Sequence, residues 1–440
     1  MLKESISGVR GIVGRGLNPE ILLNYCSAFA EILEPGKIVV GRDSRTSGDA
    51  ISRLVCGTLQ LAGREVVDIG IQATPTVEVY VDEIDAAGGI IITASHNPSE
   101  WNALKFLGKG GLFLDSLAFT DLQSHIKKQP AWVKFDSIGE IVEGKHPVEK
   151  HIDRVLGLPY IDIQSIRKRR FKVVVDANGG TGAIALLPLL VKLNCNIIEL
   201  NCKPDGFFRH GAEPIPENLT ALEKAVISNS ADIGFATDPD ADRLALVDDL
   251  GHAIGEEYTL ALGVAEVLHF KPGPVVINLS TSAMVESLDQ PVIRMPVGEI
   301  NVAKKMLEID SPCGGEGNGG LIVPECHPGR DAILAAAVIL NHLARQDKAL
   351  SEAIACFPKL FMLKTKTPFD GQFDNSVSGK LKSKLNPQGI DLSDGIRFSW
   401  HDKWVHVRAS NTEPILRIIA EAGEISESEK LISAVKSALA

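Results

Sequence analysis

Along the chain, short apolar, β-branched runs alternate with longer stretches of helical periodicity, and the runs end at polar turns. The clearest run is Ile90-Ile91-Ile92, which reads as a buried strand. It stops at the polar turn 93–97, and Pro98 opposes its continuation. Ser95 is thus presented at the C-terminal end of a strand, where open α/β sheets place ligands. His96, Asn97 and Lys105 bring donors and a base close to that hydroxyl. The plainer alternative is a turn in which Thr93 and Ser95 only cap backbone groups.

Around this stretch the pattern predicts strands at 38–40, 66–69 and 89–92, with helices at about 48–62 and 75–81. Gly8-Val9-Arg10-Gly11 reads as a loop that puts a cation within reach of an anion. Alternating strands and helices imply a mainly parallel sheet covered on both faces. The pattern then repeats. Strands at 172–175, 197–200 and 232–236 alternate with helices at 181–193 and 216–228. A third round has strands at 244–247, 275–278 and 292–295, and helices at 256–269, 281–288 and 299–307. A Gly-rich loop at 313–320 and a helix at about 331–345 complete it. Three successive units of this kind read as an internal structural repeat. The last segment differs: after a polar stretch at 375–390 come short strands at 396–399, 404–407 and 416–420, then a helix at about 427–440. That is an α+β unit with an antiparallel sheet. The expected division is 1–150, 151–250, 251–360 and 361–440.

A chain of 440 residues exceeds one hydrophobic core, which agrees with several domains. Its 45 basic against 56 acidic residues give a net charge of -11, which argues against a general nucleic-acid or anionic-membrane binder. A local basic pocket for a phosphate remains compatible with it. The first 14 residues are too polar for a signal peptide, and the longest apolar run, 332–340, is too short to span a membrane. The seven cysteines include no Cys-x-x-Cys pair and are odd in number, as suits buried thiols in a reducing compartment. The expected location is the cytoplasm.

Three further stretches carry chemistry. Asp238, Asp240 and Asp242 alternate at the end of a strand, so three carboxylates can converge. Like charges so placed repel unless a cation sits between them, and a hard divalent ion such as Mg²⁺ suits oxygen ligands. A calcium-binding EF-hand loop is excluded, because Arg243 stands where that loop needs Gly and its closing Glu is missing. Arg243 suits a phosphate held at the metal. The stretch from Arg408 through Ser410, Asn411 and Thr412 to Pro414 offers a guanidinium fork, hydroxyls and backbone N–H groups, the inventory of a phosphate cradle; a hairpin turn uses the same residues. In the loop Gly314 to Gly320 the charged residue is acidic, which disfavours a phosphate cradle. Glu316 and Asn318 suit the vicinal hydroxyls of a sugar, and a flexible connection is the alternative.

Taken in order, Thr93 to Pro98, Asp238 to Arg243, Gly315-Glu316 with its glycines, and Arg408 to Pro414 resemble the α-D-phosphohexomutases over essentially the whole chain. The resemblance implies an α/β fold: three similar mixed-sheet α/β domains plus a smaller C-terminal α+β domain around a central cleft. It implies that Ser95 is carried as phosphoserine and that Mg²⁺ sits on Asp238, Asp240, Asp242 and that phosphate. Glu316 would read sugar hydroxyls, and Arg408, Ser410, Asn411 and Thr412 would hold the non-reacting phosphate. Arg10 and Lys105 match the family's basic residues beside the phosphoserine. Bacterial-type members read Gly-Glu-x-Ser-Gly-His in the sugar loop, whereas here Asn318 replaces the Ser and Gly320 the His. The loop looks more like archaeal-type members described as phosphoglucosamine mutases. Asn102-Ala103 stands where the family has Asn-Gly.

The activity implied is exchange of hexose 1-phosphate and hexose 6-phosphate through a 1,6-bisphosphate, which also serves as activator. With no His at 320, the base candidates are His96 and Lys105, the lysine only with a lowered pKa. The polar stretch before the last domain would act as a hinge that closes the cleft. A serine-nucleophile phosphatase and a catalytically dead sugar-phosphate binder are the rival classes. The dead binder is disfavoured because nucleophile, acidic trio and phosphate loop stand together. Glucosamine phosphate is the preferred substrate over glucose and mannose phosphates, on the sugar loop alone.

Overall fold

The computed structural model describes residues 2–126, 128, 130–369, 375–409 and 415–439, with the backbone alone at 375 and 376. Three sheets repeat one topology. In the first, strand Ile38–Arg42 lies between Val66–Ile71 and Gly88–Ile92, both parallel to it, and Trp101–Leu107 pairs antiparallel outside Gly88–Ile92. In the second, Lys172–Asp176, Asn196–Leu200, Ile233–Thr237 and Leu244–Val247 take those same places. In the third they are taken by Val275–Asn278, Val292–Met295, Cys313–Glu316 and Gly320–Ile322. The repeat expected from the alternation of elements is therefore present as strand order. Each sheet is mixed because its fourth strand returns antiparallel through a hairpin.

The seven-stranded first sheet extends this unit with Leu2–Ser5 and Gly8–Ile12 at one edge and Ile141–Glu143 at the other. Gly8–Ile12 is thus a strand, not the loop expected from its glycines, and its register places Arg10 opposite Ala103. Leu244–Val247 closes the second sheet rather than opening the third unit. The Gly-rich stretch is largely a hairpin, Cys313–Glu316 and Gly320–Ile322. The expected helix at 216–228 starts as a single 3-10 turn, Pro216–Asn218, before the α-helix Thr220–Asn229. The expected helix at 281–288 is a 3-10 segment, Ala283–Leu288.

The last sheet is antiparallel, in the order Phe361–Pro368, Ile415–Ala422, Lys403–Ala409, Ile396–Ser399, Gly389–Asp391. Helices Asn375–Leu385 and Ile425–Leu439 accompany it; the first occupies the polar stretch read as a hinge.

Burial explains how the units hold together. Ile90, Ile91 and Ile92 are fully buried at the centre of the first sheet. The second and third sheets share one continuous core, formed by residues from Ile152 to Phe357 with Ala73 of the first unit packed into it. Helix Ala332–Gln346 crosses it and is buried from Ala332 to Leu343. Asp331 caps its start, its carboxylate accepting from the Ile333 and Leu334 amides at 2.8 and 3.1 Å. Among the described residues no helix is long and apolar enough to cross a membrane.

Candidate active site

The three hairpin connections carry the residues singled out in the sequence. They are 93–100 in the first sheet, 238–243 in the second and 317–319 in the third, and each joins the third strand of its unit to the antiparallel fourth.

In the first, Ser95 adopts a left-handed backbone, φ +48°, a strained conformation for a non-glycine residue and common where a site over-determines it. Its Oγ donates to Asp238 Oδ2 at 3.0 Å and lies 3.3 Å from His96 Nδ1. The loop is held from beneath by Arg45, which is 1 % exposed. The Arg45 guanidinium donates to the carbonyls of Ser95 (2.6 Å), Asn97 (2.7 Å), Pro98 (2.6 Å) and Trp101 (3.1 Å). It also pairs with buried Asp43 at 2.9 Å, and Asp43 accepts from Thr93 Oγ1 at 2.6 Å. The sequence reading passed over Asp43 and Arg45; the one signal was a dense run of charge at a strand end.

In the second hairpin, Asp238, Asp240 and Asp242 are fully buried, and one oxygen of each lies within 4.8 Å of the other two. Lys105 Nζ donates to Asp240 Oδ2 at 2.7 Å and lies 4.0 Å from Asp242 Oδ2. Thr74 Oγ1 also donates to Asp240 Oδ2, at 2.8 Å. Burial, then the charges of Asp242 and Asp240, push the Asp238 carboxyl well above its usual range. Burial acts the same way on Asp240, but Lys105 overrides it and holds that carboxyl below its usual range. Asp240 Oδ1 and Asp242 Oδ1 are buried and have no hydrogen-bond partner among the described residues. Orphaned carboxylate oxygens within one hard, all-oxygen donor set are what a Mg²⁺-sized cation would satisfy, so the trio fits such an ion.

Cations surround this centre. Arg243, buried, donates from Nη1 to Glu213 at 3.1 Å and lies 3.6 Å from Asp242. Arg10 donates to the Asn97 side chain at 3.3 Å. Burial works to lower Lys105, but Asp240 and Asp242 raise it above its ordinary value, so it serves as a cation; the lowered pKa that a base role required is not met. The charge of Arg243, then burial and Arg10, hold His96 well below its usual value, so its ring is neutral and is a weak proton acceptor while those cations face no added negative charge.

In the third hairpin, the Glu316 carboxylate accepts from Asn278 Nδ2 (2.9 Å), the Gly298 amide (3.0 Å) and Arg330 Nη1 (2.8 Å). The Asn318 amide fits with its oxygen accepting from Arg330 Nη1 at 3.0 Å. The glycines serve close approach rather than flexibility. Gly319 has φ +87°, and a Cβ there would lie 2.4 Å from the Leu244 carbonyl oxygen, against which the loop packs. Arg330 also reaches Asp242 and Glu299; sequence reasoning missed it, because it precedes a helix start and belongs to no motif.

Arg408 lies on strand Lys403–Ala409 and donates to Asp394 Oδ2 at 3.0 Å. The same oxygen accepts from the Val297 amide at 3.1 Å, next to the Gly298 amide that holds Glu316. Ser410, Asn411 and Thr412 lie outside the described residues.

Behind the site, buried Asp331 Oδ2 meets His151 Nε2 at 2.8 Å and His327 Nε2 at 3.1 Å. The second nitrogen of His151 meets Thr76 Oγ1 at 2.9 Å, and that of His327 lies 3.3 Å from Glu78. These five side chains come from the first three units and join them with their ring nitrogens already engaged.

A hydroxyl held against a carboxylate trio, with Arg10, Lys105 and Arg243 around that centre and Arg330 joining Asp242 to Glu316, is equipped for phosphoryl transfer, which asks mainly for positioning and charge neutralisation. Comparison with known proteins agrees. Models of the phosphoglucomutase/phosphomannomutase family match in four consecutive pieces: α/β/α domain I at residues 2–131, domain II at 149–251, domain III at 258–361 and the C-terminal domain at 374–437. A Thermococcus kodakarensis protein described as a phosphoglucomutase/phosphomannomutase is 35% identical over 429 residues, covering 94% of this chain and 93% of its own. A Methanopyrus kandleri protein described as a probable phosphoglucosamine mutase is 34% identical over 424 residues, with coverage of 94% and 93%. A crystal structure of a phosphoglucomutase/phosphomannomutase family protein from Burkholderia thailandensis superposes with a TM-score of 0.86 at 25% identity, covering 100% of this chain and 98% of that one. The chain belongs to the phosphoglucomutase/phosphomannomutase family, whose members are phosphomutases of the isomerase class.

Proposed function

We propose that the protein interconverts hexose 1-phosphate and hexose 6-phosphate through a phosphoserine at Ser95 and a hexose 1,6-bisphosphate, with glucosamine phosphate as its sugar. The observation that carries the reading is Ser95 Oγ, strained into position 3.0 Å from Asp238 and beside a neutral His96. In the first half-reaction the bond between phosphorus and Ser95 Oγ breaks as one forms to the free sugar hydroxyl. The hydroxyl proton passes to His96, within reach of the serine. The bisphosphate then turns over in the cleft and returns its other phosphoryl group to Ser95, with the proton coming back to the sugar oxygen.

Asp238, Asp240 and Asp242 would hold Mg²⁺, which when bound adds positive charge at the transferring phosphate. Arg10, Lys105 and Arg243 take up developing negative charge, and because packing already fixes Lys105 and Arg243, they need little reorganisation. Glu316, held by three donors, orients the sugar, and Arg408 with the loop after it binds the non-reacting phosphate. The hexose bisphosphate doubles as activator by phosphorylating Ser95.

The sugar assignment rests on the loop Gly315 to Gly320 and on archaeal relatives described as probable phosphoglucosamine mutases. Specificity constants on glucosamine, glucose and mannose phosphates test it, with inorganic phosphate monitored in parallel. Mutase turnover without phosphate release, fastest on glucosamine phosphate, is the expected result. Stoichiometric phosphate release would make the protein a phosphatase, and a higher constant on mannose or glucose phosphate would reassign the sugar.

A further inference from the structure

Gly320 leaves a space, and one side chain fills it. A Cβ at position 320 would lie 2.3 Å from Arg330 Cδ and 2.9 Å from its Cγ, so any larger residue there must displace that arginine. The arginine is almost entirely buried and all of its nitrogens are in use. Its backbone amide donates to Glu299 Oε1 (2.6 Å), Nε to Glu299 Oε2 (3.2 Å), Nη1 to Glu316 Oε2 (2.8 Å) and Nη2 to Asp242 Oδ2 (2.6 Å). It therefore ties the tip of one hairpin to the tip of another, across two sheets.

We propose that Arg330 is a positioning residue, riveting the sugar-reading carboxylate of Glu316 to the carboxylate loop at Asp242 in the space that Gly320 leaves open. The proposal rests on the mutase reading above. Asp242, Glu299 and Glu316 are buried acids that would repel one another without a shared cation, and a flat guanidinium can serve three partners at fixed angles where an ammonium cannot. Asn278 and the Gly298 amide hold Glu316 within its own sheet, and Arg330 is the contact that fixes its distance from the carboxylate loop.

The test uses the full chain and three variants: Arg330→Met, Arg330→Lys and Gly320→Ala. Arg330→Met removes the rivet and also a positive charge beside Asp242. The KM for hexose phosphate should rise about tenfold or more, while the Mg²⁺ dissociation constant, measured by titration calorimetry, stays level or falls. A general loss of structure would worsen both constants together. Gly320→Ala keeps the arginine but pushes it aside, and should raise KM in the same way. Arg330→Lys keeps the charge without the fork, and should raise KM while leaving Mg²⁺ affinity near wild type. Should Arg330→Met fail to fold, the other two variants decide. A KM within about twofold of wild type in Arg330→Lys and Gly320→Ala, or Mg²⁺ affinity and KM worsening together in all variants, overturns the proposal. Wild-type protein that shows no mutase turnover overturns the functional reading and this inference with it, whereas wild-type turnover with unaffected variants overturns the inference alone.

Discussion

Arg45 offers the sharpest structural prediction. Its side chain makes five hydrogen bonds: one to Asp43 and one each to the carbonyls of Ser95, Asn97, Pro98 and Trp101. Arg45→Met keeps most of the volume and removes all five. Asp43 is left as a buried carboxylate with only Thr93 Oγ1 and the residue-45 amide as donors. Breaking a buried pair from one side costs about 3–5 kcal/mol. The first sheet has its own cores on both faces, so its unfolding should report the loss as a fall in Tm of roughly 6–20 °C, at ~2–4 °C per kcal/mol. The functional loss should be steeper. Without its anchor the turn carrying Ser95 relaxes, and a displacement of about 1 Å at a reacting atom costs on the order of 10² in rate. Arg45→Lys should fall between, because one ammonium cannot serve four carbonyls. Scanning fluorimetry and mutase turnover on the same preparations read both effects. A shift of under about 2 °C with turnover within twofold of wild type would show that Arg45 does not hold the loop.

Other variants address separate parts of the site. Asp240→Asn removes one anionic oxygen and weakens the Lys105 pair, so turnover should fall sharply and recover in part at high Mg²⁺; full activity under chelator would make the trio a structural feature. Arg408→Lys should raise the KM for hexose phosphate while Ser95 is still phosphorylated by the bisphosphate, and an unchanged KM would move the non-reacting phosphate elsewhere. Glu257 is half-buried beside Gly317, its Oε2 accepting from the Ser282 amide at 3.0 Å, and loss of solvation raises its carboxyl to about 8. The folded state therefore holds a proton that the unfolded chain releases near its ordinary pKa of ~4.3, and stability falls as pH rises from there through about 8. Thermal scans should show Glu257→Gln flattening that decline, and an identical slope in variant and wild type would remove Glu257 as its cause.

How much of this was legible in the sequence follows from the range of each interaction. Ile90 to Ile92 announced a buried strand because its signal is local; Asp238, Asp240 and Asp242 do converge, but through a turn with Ala241 at φ +53° rather than by alternation along an extended strand. Arg10 was read as a loop residue because its strand is paired on one side with Leu2–Ser5 and on the other, antiparallel, with residues 101–104, about ninety positions away. Lys105 passed as a base because its partners Asp240 and Asp242 stand in another sheet. The glycines from 314 to 320 carry two meanings in sequence, slack and close approach, and only the Leu244 carbonyl and the Arg330 side chain against them decide for the second. Arg45 and Arg330 work entirely through long-range contacts and sit in no recognisable motif, so nothing short of the packed fold reveals them.

The central claim is that Ser95 carries the phosphoryl group, and intact-mass analysis tests it most directly. Wild-type protein incubated with the hexose 1,6-bisphosphate should gain one phosphate, and excess hexose monophosphate should strip it. Ser95→Ala should keep its fold, since Arg45 holds the turn through the residue-95 carbonyl rather than the hydroxyl, and it should gain no phosphate and show no turnover. Phosphate on a different residue, or full turnover by Ser95→Ala, would contradict the mechanism.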